Sequence, residues 1–419
     1  MNHAVVYTDA KEQYAALGVD TEAAISRLKN IPLSLHCWQG DDVGGFESAG
    51  AVLNGGGIQV TGNYPGKART LTELRQDIKK VLALTPGSYR LSLHASYADF
   101  SGCQPVDRDK IEPEHFESWL DWAMENHLPL DFNATIFSHP KVKEMTLSSK
   151  DKGVRDFWIE HTKRCRTIGA YFGKKQGSPC IHNIWIPDGM KDIPADRQGF
   201  REILLSSLDD ILSQNISEKY LKDSVESKVF GIGSESYVVG SHEFYMGYAV
   251  SRKRMLTIDM GHFHPTENVA DKLSAILLFV PEILLHLSRG VRWDSDHVII
   301  FNDEQRMMAE EIVRTGKLDK IHIGTDFFDG SINRIGAWTL GSRAAEKALL
   351  YALLEPHELL VKYEEEGNYF ARLALNEDLK TLPFGAVWQQ YCEECGVPSD
   401  SEIIPAVMEY EKNITSKRQ

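Results

Sequence analysis

The sequence holds little that would tie it to a nucleic acid, a membrane or an oxidising compartment. Positive charge is in deficit: 46 lysines and arginines stand against 60 aspartates and glutamates, a net charge of −14. Such a surface repels phosphate backbones, so nucleic acid is not an expected partner. Long apolar runs are missing too. The longest, LSAILLFVPEILLHLS, is interrupted by Pro281, Glu282 and His286. It reads as a helix end followed by a buried strand, and no membrane span is expected. The first residues, MNHAVVYTDAKEQY, lack the basic and then apolar pattern of a secretory signal, so a cytoplasmic location is expected. Cysteine is scarce, with six in 419 residues. Four stand singly, as in a reducing compartment. Cys392 and Cys395 form CEEC, but no second ligand pair lies nearby and the motif closes a helical stretch. Two incidental thiols are expected there, neither a zinc site nor a redox centre. The glycine-rich stretch NGGGIQVTGNYPGK (54–67) fits neither the phosphate-binding loop nor the dinucleotide fingerprint. No organic cofactor is therefore expected, and the stretch reads as a long surface loop or a lid.

What is present is a rhythm. The first thirty residues have apolar positions at helical spacing. Short β-rich runs then alternate with amphipathic stretches. The runs are PLSLHCW (32–38), YRLSLHA (89–95), PLDFNAT (129–135), HNIWI (182–186), DSVESKV (223–229), MLTID (255–259), EILLHLS (282–288) and KIHIGTD (320–326). Helical patterns such as TLTELRQDIKKVLALT and RQGFREILLSSLDDILSQ lie between them. Alternating β and α elements predict a parallel sheet covered by helices. Eight of them predict a closed (β/α)8 TIM barrel, with a doubly wound open sheet as the alternative. A catalytic barrel over residues 1–355, including an N-terminal helical segment, and a helical C-terminal extension over 356–419 are expected.

In a parallel barrel the active site lies at the carboxyl ends of the strands. Those ends carry His36 and Trp38, His94, Trp185, Glu226 and Lys228, Asp259 followed by His262 and His264, His286, and Asp326. The stretch RGVRWDSDHV adds Asp294 and Asp296. Each alone has a plain explanation: an aspartate can cap a helix, a strand histidine can be bonded in the core, and Lys228 can neutralise Glu226. Together, so many carboxylates at one end would raise one another's pKa values unless positive charge lay among them. Divalent cations supply it. Carboxylate and imidazole ligands without thiolate favour manganese, magnesium, cobalt or zinc. Seven such residues suit two ions, one of them held by His262, Asp294 and Asp296. Residues two apart on a strand share a face, so Glu226 and Lys228 are both expected to aim into the mouth.

The stretches LHCWQGDDV, TGNYPGKAR, NIWIPDGMKD, VESKVFGIG, EFYMGYA, GHFHPTE and RWDSDHV, with the HIG, DFFD and SINRI segments between 322 and 335, resemble the L-rhamnose isomerase family over nearly the full length. That family is similar in fold to xylose isomerase, whose Glu-x-Lys on strand five resembles Glu226–Ser227–Lys228. The resemblance implies a (β/α)8 barrel, a cytoplasmic homotetramer, and interconversion of L-rhamnose and L-rhamnulose, the first step of L-rhamnose catabolism. It also implies two metal positions, manganese being the usual ion and zinc, cobalt or magnesium substituting. Glu226, Asp259, His286 and Asp326 would hold the ion that binds sugar hydroxyls. His262, Asp294 and Asp296 would hold the catalytic one.

Lys228 is expected to meet the carbonyl oxygen as charge develops, and Trp38 and Trp185 to offer flat walls to the sugar. Nearly every strand-end carboxylate is then a metal ligand, and His94 is the main unassigned imidazole. Direct hydride transfer from C2 to C1 is therefore expected over an enediol route. The competing functions are an isomerase or epimerase of another aldose, a metal phosphodiesterase of related fold, and a non-catalytic sugar-binding protein. The acidic charge argues against the phosphodiesterase, and seven metal-type ligands argue against the binding protein.

Overall fold

The computed structural model describes residues 3–47, 62–142, 145–228, 235–291 and 296–418. Residues 54–61 of the glycine-rich stretch and Asp294 lie outside them.

Eight parallel strands form the expected barrel: β1 (Pro32–His36), β2 (Ser88–His94), β3 (Leu130–Asn133), β4 (Cys180–Ile184), β5 (Leu221–Glu226), β6 (Met255–Asp259), β7 (Ile283–Leu287) and β8 (Ile321–Thr325). Each pairs with its sequence neighbours. The ring closes where Leu33 and Ser34 of β1 pair with Ile323 and Gly324 of β8, which excludes the open sheet. The fourth strand starts two residues earlier than expected, at Cys180, and ends before Trp185.

Strand alternation sends every second side chain inward. Near the N-terminal end this brings Arg90 to Asp131 and Lys222 to Glu282. Ile181, Met255 and Leu284 form a small apolar cluster apart from the main core. Ser224, Thr257 and Asn183 make a hydroxyl-and-amide tier. Glu226, Asp259 and His286 complete the progression at the strands' carboxyl ends. The main core lies between barrel and helices, where Leu33, Leu35, Leu91 and Leu93 face outward.

The N-terminal segment forms α1 (His3–Ala15) and α2 (Thr21–Leu28). Asp20 starts α2 by accepting from the backbone N–H of Glu22 and Ala23 at 2.9 and 3.0 Å, satisfying orphan donors of the first turn. The crossovers include α3 (Leu71–Leu82), α4 (Glu117–Glu125), α5 (Lys152–Gln176), α6 (Arg197–Leu212), α7 (His242–Arg252), α8 (Asp271–Ile276) and α9 (Asp303–Arg314). After β8 comes α10 (Arg334–Leu353), buried nearly all round. The chain ends in α11 (His357–Glu365), α12 (Tyr369–Leu379), α13 (Phe384–Glu394) and α14 (Asp400–Asn413). Val387, Trp388, Tyr391, Ile403 and Val407 of α13 and α14 share the barrel's core, whereas Leu360, Leu375 and Leu379 of α11 and α12 form a cluster of their own. Cys392 is buried at the end of α13, and all six cysteines are free. No helix among the described residues is long and apolar enough to cross a membrane.

Candidate metal centre and sugar cavity

Four side chains from four strands converge at the carboxyl end of the barrel. Ligand-type atoms of Glu226, Asp259, His286 and Asp326 all lie within 4.8 Å of one another. His286 is central: its Nδ1 stands 3.2 Å from Glu226 Oε1, 3.0 Å from Asp326 Oδ2 and 3.7 Å from Asp259 Oδ2. Burial alone would push this imidazole down, but Glu226, Asp326 and Asp259 outweigh it and hold its pKa well above the usual histidine range. Burial pushes Asp326 the other way, above the ordinary carboxylate range, with Asp259 and Glu226 adding to the rise against His286. Burial also opposes ionisation of Asp259, but His262, His286 and the Ser288 hydroxyl hold it below the ordinary range.

The donor set fits a divalent cation. Three carboxylates and one imidazole are hard, oxygen-rich ligands of the kind manganese and magnesium take. Asp259 Oδ2 is buried and makes no hydrogen bond within the protein. A buried carboxylate oxygen without a hydrogen bond is costly, and a cation relieves that cost.

His262 sits on the 3-10 turn after β6 with Nδ1 3.6 Å from Glu226 Oε1, beside the same cluster. Asp296 lines the cavity above it in the left-handed region, φ 41°. Beside Asp296, His297 N–H donates to Arg289 O at 3.2 Å. His264 does not join the group; it bonds Thr266 Oγ1 at 2.8 Å on the exposed side of its loop. His36 is fully buried, with Nδ1 2.6 Å from Thr325 Oγ1.

Above the cluster lies a cavity lined by Trp38, His94, Phe137, Trp185, Phe328 and Val43 beside the acids. Trp38 packs edge-on against His94 at 4.4 Å, and Phe137 against Trp185 at 5.8 Å. Among the described residues no lysine or arginine lines this cavity, which is poor chemistry for phosphate. His94 Nδ1 meets Thr135 Oγ1 at 2.8 Å, while burial, with Arg108 and His286 nearby, pushes its pKa down to about 3. Arg108 braces the wall from behind by donating to the carbonyls of Thr135 and Phe137 at 2.6 and 2.5 Å.

Lys228 is placed otherwise than expected. The strand ends at Glu226, so alternation stops, and the buried ammonium donates to Pro187 O at 2.8 Å and to Glu235. It is absent from the cavity lining. Phe137, Val43, Phe328, Asn133 and Asn183 line the cavity without having been singled out from the sequence. For Asn183 a signal existed: it stands two residues before Trp185 and shares its inward face. Val43 had none, because its φ of 59° breaks any strand pattern. A β-branched residue there is strained. Its N–H donates to Trp38 O at 3.0 Å, and the preceding Asp42 is held by Arg334 at 2.8 Å.

Comparison with known proteins places this site in a family. The L-rhamnose isomerase family model matches residues 1–418. The chain belongs to the L-rhamnose isomerase family. It is 55% identical over 412 residues to the L-rhamnose isomerase of Bacteroides thetaiotaomicron, covering 98% of each chain. With that of Rhodopirellula baltica it shares 54% identity over 410 residues, 98% of this chain and 95% of the relative. Among solved structures it is similar to a D-allulose 3-epimerase from Methylomonas sp., at 13% identity and a TM-score of 0.44 over 75% of this chain and 95% of that one. The barrel assignment rests on the strand pairing itself, and the family on the full-length matches.

Proposed function

We propose that the protein interconverts L-rhamnose and L-rhamnulose, with a divalent ion, manganese, held by Glu226, Asp259, His286 and Asp326. The observation that carries this reading is the convergence of those four side chains, two of which, Glu226 and Asp326, line an aromatic-walled cavity. A second ion is assigned to His262, Asp294 and Asp296. A divalent ion supplies Lewis acidity, polarising the carbonyl and steadying the charge left on a deprotonated hydroxyl.

The protein's side chains do the remainder. Trp38, Phe137, Trp185 and Phe328 exclude water and pack on the sugar's apolar face and its methyl group. His94, neutral at working pH, hydrogen-bonds a sugar hydroxyl. An imidazole held to about 3 is a weak base, which disfavours abstraction of a proton from C2. The proposed course is that the O2 proton passes to water, hydrogen passes from C2 to C1 with its electron pair, and O1 takes a proton from water. Lys228 acts at one remove, through Glu235 and the carbonyl of Pro187.

The surrounding assignments follow the same reading. Free cysteines support a reducing cytoplasm. Exposed Tyr369, Phe370 and Leu373 on α12, with Ile404 and Met408 on α14, support an interaction surface, and the homotetramer follows from the family resemblance. The direct test is NMR of L-rhamnose with the manganese-loaded protein in deuterium oxide. Rhamnulose free of solvent deuterium at C1 is expected. Deuterium at C1 before equilibrium would refute direct transfer, and absence of rhamnulose would refute the function.

A further inference from the structure

We propose that Asn183 and Ser288 are positioning residues that fix which oxygen of Glu226 and of Asp259 faces the metal centre, and that Thr257 sets the direction of the Asn183 amide. The inference rests on the reading of Glu226, Asp259, His286 and Asp326 as metal ligands.

The hydrogen bonds run one way. Thr257 Oγ1 donates to Asn183 Oδ1 at 2.9 Å. The Thr257 proton is thereby used, so Ser224, 2.6 Å away, donates to Thr257. With its carbonyl occupied, the Asn183 amide turns its N–H to Glu226 Oε2. A flipped amide would set oxygen against carboxylate oxygen. Glu226 Oε1 is left facing His286 and His262, at 3.2 and 3.6 Å. On the other side, Ser288 Oγ accepts from Gly261 N–H at 2.8 Å and donates to Asp259 Oδ1 at 2.6 Å. Gly261 N–H also reaches Asp259 Oδ1 at 2.6 Å. Asp259 Oδ2 is left bare toward the centre.

Both carboxylates are gripped by one oxygen and released at the other, and every grip is electrically neutral. An arginine in place of Asn183 or Ser288 would orient equally well but would cancel the charge that attracts a dication. Neutral donors on ligand carboxylates orient them without that loss, and removing such partners typically weakens metal binding by about 10–100-fold.

The test is manganese binding to chelator-stripped protein without sugar, read by electron paramagnetic resonance of the free ion, so a lost sugar contact cannot register. Asn183→Ala and Ser288→Ala are expected to weaken binding by about tenfold or more. Thr257→Val keeps the shape and removes the donor, and should weaken binding severalfold. Thr257→Ser should restore it, a rescue that a packing role would not give. No binding by the wild type would refute the metal reading itself. Wild-type binding with Asn183→Ala and Ser288→Ala unchanged within twofold would overturn the positioning role, and Thr257→Val at wild-type affinity would overturn the relay.

Discussion

At the N-terminal end of the barrel, Arg90 grips both oxygens of Asp131 at 2.7 and 2.9 Å, and Glu282 takes Lys222 at 2.5 Å and His322 at 2.6 Å. At the carboxyl end, Glu226, Asp259 and Asp326 surround His286, with His262 beside Glu226, and no lysine or arginine is paired with them among the described residues. The two ends are built on the same eight strands and both collect acids. One end closes its charge within the protein; the other leaves charge open to something brought from outside. The charge-complete clusters can serve stability, and the charge-incomplete one could hold a cation. Lys228 marks the boundary, since it is the nearest candidate cation in sequence yet is spent on Glu235.

Breaking each end separately should give opposite phenotypes. The largest effect is expected at the open end. Glu226→Gln or Asp259→Asn should lower turnover of L-rhamnose by at least about a thousandfold, the several kcal/mol that a lost Lewis acid represents. Both variants should still fold, as circular dichroism would report. At the closed end, Arg90→Met strands a buried Asp131 and should cost about 3–5 kcal/mol of stability in urea unfolding. Turnover per folded molecule should stay near wild type. If Arg90→Met instead abolishes activity in folded protein, the division between the ends is wrong.

A smaller effect sharpens the comparison through pH. Burial would raise Glu282, but His322 and Lys222 outweigh it and hold it down to about 2. A depressed acid stabilises the fold above its unfolded pKa of about 4.5. That contribution is lost as pH falls from about 5 toward 2. Glu282→Gln should therefore flatten the acid limb of the stability curve over that window, by about 1 kcal/mol or less given the partial exposure of the group. An unchanged acid limb would mean that Glu282 is not what the low-pH transition reads.

Much of this contrast was legible in the chain. The alternation of β-rich and amphipathic stretches carries the eight strands, because short β-rich runs separated by stretches of helical period are the signature of successive βαβ units. Closure was legible only through the count of eight units, since pairing β1 to β8 depends on twist and stagger that no local pattern encodes. The acids and histidines of the mouth stood out because Asp259, His286 and Asp326 sit at strand ends, where their chemistry is unusual. Ser288 did not, since a lone hydroxyl is common anywhere, and Asn183 was marked only by its spacing to Trp185. Phe137 and Val43 were hidden by backbone reversals, at Thr135 with φ 53° and at Val43 itself with φ 59°. Lys228 was misread because alternation was carried past the end of its strand.

The central claim is that the carboxyl end is complete only with a cation. Its most direct test is turnover of L-rhamnose by protein stripped with a chelator, dialysed, and then titrated with manganese. The account predicts no turnover in the stripped protein, saturable recovery with added manganese, and no recovery in Glu226→Gln. Full turnover by protein holding less than about a tenth of an equivalent of metal would contradict it.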